Sequence, residues 1–319
     1  TSVGFQANLK VLKSGGKSLI IFLGLVIALI LCQNFLAVGL ADLLGISPLI
    51  GLCTGSIPMV GGHGTAGAFG PVLEEAGVAG ANAVAIASAT FGLVAGCMIG
   101  GPLAYRRIHS LNLKSTETAT GSDEVKVDKN EVTGAIDSRR FLDGALYLAI
   151  AIGAGTIVSL FLNKLMTFPS YIGAMVVAAI IRNIVDATHK DMPMEEISTI
   201  GSFSLSLFLG LAMMGLKLWQ LAELALPMIV MLAAQTVLMA IFAYFVVFNL
   251  LGKNYDAAVM TSGFCGFGMG ATPNAMANMQ AITAKYGPAP TAYFVVPLVG
   301  SLFIDFFNAL IITTFMNFL

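Results

Sequence analysis

The sequence predicts an all-α polytopic membrane protein made of two inverted-topology repeats, each carrying a re-entrant hairpin. Three observations carry this. The first is composition: 57% of the 319 residues are hydrophobic and only 10% are charged, with a mean hydropathy of +0.88. Soluble domains carry roughly 25% charged residues, so this chain requires a bilayer as its solvent. The second is an internal repeat at an offset of 207 residues. Thr54 falls on Thr261, Gly61 on Gly268 and Thr65 on Thr272, and the same ungapped register places Leu43-Leu44-Gly45 on Leu250-Leu251-Gly252 and Leu9-Lys10 on Leu216-Lys217. The third is the sidedness of the basic residues once the spans are drawn.

A hydrocarbon core of about 30 Å takes ~20 apolar residues of helix to cross. Residues 1–17, with Lys10, Lys13 and Lys17, read as a helix tail and a loop. Residues 18–40 form the first full span. Residues 46–76 are too Gly-rich and too short for two spans and read as the first re-entrant unit, with Glu74 and Glu75 at its exit. Residues 82–105 span again and end at Arg106-Arg107. Residues 106–138 are polar, mixed in charge and free of aromatics over Thr116–Ser138; such a segment buries too little to order itself and reads as a flexible linker. Further spans follow at about 140–165, 169–187, 198–217 and 222–252, then a second re-entrant unit at 254–287 and a last span at 291–319. The domains are therefore 1–105, 106–138 and 139–319. If the halves match, the first repeat lacks its opening helices: two spans and most of a third, roughly 70 to 90 residues at ~20 or more per crossing.

Of the 16 basic residues, 14 fall on the linker side of these spans; Lys164 and Lys217 fall on the other. The positive-inside rule makes the linker side cytoplasmic and puts the C-terminus outside. Five crossings separate the first full span from its partner at 222, and an odd number inverts the second repeat. Inverted repeats with broken helices meeting near the midplane are the mark of a secondary transporter.

The two uncharged stretches TGSIPMVGGHGTAGA (54–68) and TSGFCGFGMGATPNA (261–275) are the predicted centre. Irregular backbone at membrane depth survives only where protein or a water-filled cavity covers it, and glycine permits the sharp turn. Gly61-Gly62-His63-Gly64 and Gly266 to Gly270 read as hairpin tips. Thr65 and Thr272 are the expected N-caps of the outgoing half-helices, with Pro273 at the first helical position. Two half-helix N-termini aimed at one centre suit an anion. No basic residue lies mid-span, so an acidic substrate would be held by Ser56, Thr65, Thr272, Asn274 and Asn278 together with the tips Gly62, His63, Gly64, Gly270 and Ala271. Tip carbonyls at Gly61, Gly266 and Gly268 suit a small hard cation. Asp305, the one acid mid-span, and Asn308 one turn on extend that cation site, since intramembrane acids are usually functional. Gln33, Asn34 and Gln235 read either as helix glue or as pathway lining. His63 is either a substrate contact or a plug against the second tip. The four isolated cysteines read as packing residues, with no CxxC pair to suggest a disulfide or zinc. No HExxH, GxGD or GxSxG motif points to an intramembrane enzyme, no filter repeat to a channel, and no feature to an organic cofactor or nucleic acid.

The strings GGHGTAGAF, ATFGLVAG, SLSLFLGLAMMGLKLWQLA, GKNYDAAVM, GFGMGATPNAMANMQAIT and FIDFFNALI resemble the bacterial sodium/glutamate symporters, the glutamate:sodium symporter family. The resemblance covers nearly the whole chain and is weakest in the linker. It implies sodium-driven uptake of L-glutamate across the inner membrane, with Na⁺ as coupling ion, a lipid-embedded homodimer and an elevator-like alternation. The competing expectation is a sodium- or proton-coupled di- or tricarboxylate transporter.

Overall fold

The computed structural model describes residues 1–6, 16–115, 138–162, 171–188, 191–214, 218–302 and 304–319. Among these every regular element is helical. The long elements are α1 (Gly16–Leu43), α4 (Ala81–Ser110), α5 (Ser138–Leu162), α6 (Tyr171–Ala187), α7 (Met194–Met214) and α8 (Leu218–Ile241). Two interrupted segments sit between them. The first is α2 (Pro48–Leu52), a run of turns over 53–61, and α3 (Gly62–Glu75); the second is α9 (Tyr255–Gly268) and α10 (Thr272–Tyr286). The chain closes with α11 (Pro290–Leu302) and α12 (Ile304–Phe318).

Four described helices are long and apolar enough to cross a membrane, or five if the bent pair α11 and α12 counts as one span. The predicted spans at 169–187 and 198–217 run into residues outside those described, so α6 (17 residues) and α7 show only part of them. The last span departs from a straight helix: its two parts are bent by 46°, with Pro297 inside the first. The long span at 222–252 is helical but changes pitch, passing into a π-helix at Phe242–Val247. There Arg107 Nη2 donates to Tyr244 O at 2.6 Å, with its guanidinium 3.6 Å above the Tyr244 ring. Helix α4 also runs five residues past its predicted end, so Arg106 and Arg107 are helical rather than linker. Residues 116–137 of that linker, and Lys164 and Lys217, lie outside the described residues.

The surface is greasy, as hydrocarbon solvent demands. Leu146, Ile157 and Leu160 of α5 and Phe203 and Leu211 of α7 are all more than half exposed. Inside, one cluster joins α1, α4, α8, α9, α10 and α11, a second joins α2, α3, α4 and α12, and a third joins α5, α6 and α7. Helices α5 and α6 touch through glycine: Gly173 N donates to Ser159 Oγ at 3.2 Å, and a Cβ there would strike Gly155 O. Cys53 and Cys265 are buried as packing residues, but Cys97 is exposed, because it sits on the outer face of α4 beside Met98.

Glycines at positive φ bracket both interrupted segments. Gly45 (φ 70°) ends α1 and Gly80 (φ 80°) precedes α4; Gly252 (φ 110°) and Gly287 (φ 104°) stand at the equivalent ends of the second segment. Each pair is separated by the same 207 residues, 45 to 252 and 80 to 287. Side chains with a Cβ rarely adopt positive φ, so both segments are bounded by glycine at matched positions.

Candidate functional site

Every residue from Gly51 to Val60 and from Ala257 to Gly270 is buried. The interruptions therefore lie in the interior, where each backbone polar group needs a partner. In the first segment Pro58 supplies no N–H, and the chain compensates with a wider turn, Gly61 N donating to Ser56 O at 3.1 Å. Gly62 (φ 58°) then starts α3. In the second segment α9 runs to Gly268, and extended Ala271 (φ −162°, ψ 168°) caps α10.

The caps thus fall earlier than predicted. Gly61 caps α3, and Thr65 N already donates to Gly61 O at 3.2 Å, so Thr65 lies within the first turn. Thr272 is the first helical residue of α10, which moves Pro273 to the second. Backbone conformation at Gly62 and Ala271 starts each helix before the threonine hydroxyls are reached.

The two tips meet. A Cβ on Gly62 would lie 2.8 Å from Gly270 O. Around them, α4 packs its glycines against the second segment: a Cβ on Gly96 would lie 2.9 Å from Cys265 O, and one on Gly100 2.8 Å from Ser262 O. Two predicted site residues fix this contact. Asn274 Nδ2 donates to Leu93 O (3.0 Å), and Asn278 Nδ2 donates to Gly96 O (3.0 Å) and Ser262 O (3.1 Å). Gly266 lies against the Asn274 backbone, 2.7 Å from where its Cβ would be, and Thr272 Oγ1 abuts Gly300 in the same sense at 2.5 Å. His63 turns to α4: the Thr90 hydroxyl donates to Ile86 O (3.2 Å), which leaves its oxygen to accept from His63 Nε2 at 3.0 Å.

Gly61, Gly64 and Thr65 share a cavity of about 550 Å³ with Asp305 of α12, Tyr171 of α6 and Ser198 and Ser202 of α7. Asp305 sits in the first turn of α12, where the helix dipole favours a carboxylate. Of the predicted residues, only Gly61, Gly64, Thr65 and Asp305 line this space. Ser198 and Ser202 were not singled out from the sequence. Their signal was present: two hydroxyls four apart on an apolar helix.

Ser56 and Asn308 lie deeper. Asn308 Nδ2 donates to Ser56 O at 3.2 Å, and Ser56 N donates to Asn34 Oδ1 at 2.9 Å. Gln33 Nε2 donates to Gly268 O (2.8 Å), and Gln235 Nε2 donates to Gln33 O (2.8 Å). The successive residues Gln33 and Asn34 of α1 therefore hold one interrupted segment each. Among the described residues no group of His, Cys, Asp and Glu has metal-site geometry. The polar groups at this centre are hydroxyls, amides and backbone, apart from one carboxylate and one imidazole.

A buried core of two interrupted helices, apposed at their tips inside a bundle with a lipid-like exterior, defines a polytopic helical membrane protein whose centre is built from backbone. Residues 1–288 match the family model described as sodium/glutamate symporter. The chain is 43% identical over 323 residues to the sodium/glutamate symporter of Escherichia coli strain K12, covering 99% of this chain and 79% of that protein. It is 38% identical over 317 residues to that of Haemophilus influenzae, covering 97% and 78%. No solved structure gives a significant match. The chain belongs to the sodium/glutamate symporter family.

Proposed function

We propose that the protein carries L-glutamate and Na⁺ together across the bacterial inner membrane, using the apposed interruptions as its binding centre. It is a symporter and not an enzyme, as its family is. The observation that supports this centre best is the approach of Gly62 to the Gly270 carbonyl, which brings the starts of α3 and α10 together. Those starts offer free N–H groups and partial positive charge to a carboxylate without any arginine.

In this proposal both interrupted segments are re-entrant and enter from opposite faces, as parts of two inverted repeats spanning 1–105 and 139–319. Support comes from the four bracketing glycines at matched positions. Glutamate is held by Ser56, Gly62, His63, Gly64, Thr65, Gly270, Ala271 and Thr272, with Asn274 and Asn278 bracing the second tip against α4. Na⁺ is held by the carbonyls of Gly61, Gly266 and Gly268, whose second lone pairs stay available, and by Asp305 and Asn308. The cavity between α3 and the α6–α7 pair is the space across which an elevator-like displacement would act. A homodimer, a cytoplasmic linker at 106–138 and an external C-terminus complete the proposal.

Uptake of radiolabelled L-glutamate into proteoliposomes tests it. Accumulation should follow an inward Na⁺ gradient, saturate, and resist excess citrate or malate. Uptake that ignores the Na⁺ gradient, or that citrate abolishes, would overturn the assignment.

A further inference from the structure

Helix α4 has 30 residues. At 1.5 Å per residue it is about 45 Å long, well beyond the ~30 Å of a hydrocarbon core. The end that carries Arg106 and Arg107 therefore reaches the headgroup layer, where long basic side chains are at home. Both arginines gather on one ring of the π-helix that continues α8. The Arg107 guanidinium stands 3.6 Å from the Tyr244 centroid and 4.5 Å from that of Phe248, and the Arg106 guanidinium stands 5.7 Å from the same Tyr244 centroid.

Among the described residues the ion pairs are Arg140 with Asp191 and Glu196, and Arg182 with Asp186; no carboxylate pairs with Arg106 or Arg107. Arg107 donates once, from Nη2 to Tyr244 O, and its Nε is buried without a partner. An aromatic face attracts a cation but leaves the N–H groups in the guanidinium plane unspent. Two like charges held on one ring, with no acid beside them, call for an anion from outside the protein. The surface beside the pair shows which kind. Val237, Ile241 and Phe245 follow one another at intervals of four and are each more than half exposed, and Phe245 meets Tyr244 edge-on at 5.0 Å. An apolar stripe thus runs along α8 up to the ring that holds the two charges. A phospholipid has the matching shape, an anionic phosphate above apolar chains.

We propose that Arg106 and Arg107, set on the Tyr244 ring, form a binding site for the phosphate of an anionic phospholipid whose acyl chains lie along Val237, Ile241 and Phe245. A guanidinium meets phosphate oxygens with paired N–H donors, and basic pockets between membrane helices take such headgroups. The bound lipid ties the end of α4 to the π-helix. Helix α4 also packs Gly96 and Gly100 on the second interrupted segment, so the lipid steadies the support on which that segment rests. The site lies apart from the binding centre proposed above and does not depend on what is carried.

Thermal unfolding of the full chain in a neutral detergent tests the site, with phosphatidylglycerol, phosphatidylcholine or inorganic phosphate added. Phosphatidylglycerol should stabilise at a several-fold lower concentration than phosphatidylcholine, and inorganic phosphate should not stabilise. Arg106→Gln, at an exposed position, should raise the phosphatidylglycerol concentration for half the effect about fivefold, the share of one basic residue at a membrane surface. Lys285→Gln removes one charge at the end of α10, where Nζ lies over Tyr105 and Tyr286 instead, and should leave the response unchanged. An unchanged response in Arg106→Gln, or equal losses in the two variants, overturns the site; the second result would mean diffuse surface charge. Stabilisation by inorganic phosphate as strong as by phosphatidylglycerol overturns the lipid and leaves a soluble anion. If Arg106→Gln fails to fold, mass spectrometry of the unsubstituted protein decides. Released from detergent holding equal amounts of the two lipids, it should retain phosphatidylglycerol several-fold over phosphatidylcholine, and equal retention overturns the proposal.

Discussion

The two interrupted segments align residue for residue and fold differently. Residues 48–61 correspond to 255–268 at the 207-residue offset. The second stretch is one continuous helix, α9, capped at its start by Asn254 Oδ1 accepting from Ala257 N at 2.8 Å. The first is helical for five residues and then winds through irregular turns. Pro58 stands where α9 has Cys265. A proline inside a helix loses one hydrogen bond and clashes with the preceding turn, at a cost of ~3 kcal/mol or more. The first segment accordingly replaces regular bonds with the wide Gly61-to-Ser56 turn, and Ser56 becomes a node that binds Asn34 and Asn308. The second segment is thus a regular helix tied to α4 by Asn274 and Asn278, and the first is an irregular stretch tied to α1 and α12 by Asn34 and Asn308.

Substitutions at the tips should break this contrast most sharply. Gly62→Val meets both a left-handed φ of 58° and the Gly270 carbonyl. Uptake should vanish while the protein still inserts in the membrane. At the end of α9, a Cβ on Gly268, the counterpart of Gly61, meets the ends of Leu29 and Met239, which can turn aside. Gly268→Ala should therefore keep measurable uptake, and equal loss in both variants would erase the distinction. The next effect is at Asp305. Asp305→Asn should raise the Na⁺ concentration for half-maximal uptake about tenfold, ~1.4 kcal/mol, with the KM for glutamate at saturating Na⁺ nearly unchanged. A change in KM alone would move Asp305 to the substrate.

Asn278→Ala tests the brace. It removes two donated bonds inside the core, and a buried polar group left unpaired costs about 1–3 kcal/mol. Melting should drop while the glutamate KM holds; the reverse would return Asn278 to direct substrate contact. The smallest effects belong to the paired bracketing glycines. Gly45→Ala and Gly252→Ala should each destabilise by about 1–2 kcal/mol, the cost of a Cβ in the left-handed region. No side chain or backbone lies within reach of a Cβ at either position, so the two losses should match. Unequal losses would show that the repeat-related ends carry different loads.

Much of this was legible in the primary structure. Apolar runs marked where helices lie, and the interruptions fell inside the two stretches rich in Gly, Ala, Ser and Thr. Cap positions were misplaced because Gly62 and Ala271 reverse the chain by backbone conformation, which leaves no hydroxyl signature. Gln33, Asn34 and Gln235 were noticed as polar residues in spans, but sequence spacing cannot tell that two neighbours on one helix reach backbone 22 and 235 residues away. Nor could it pair Ser198 and Ser202 with Asp305.

Composition, period and repeat fixed the solvent, the helices and the two interruptions, because burying apolar length and breaking helices at glycine and proline are local properties. The meeting of the tips, the packing of α4 glycines on the second segment and the reach of Gln33 and Asn34 to one segment each belong to the tertiary structure. They depend on which distant backbone a short side chain can reach, and that is settled only when glycine-faced helices pack close enough to exclude everything else.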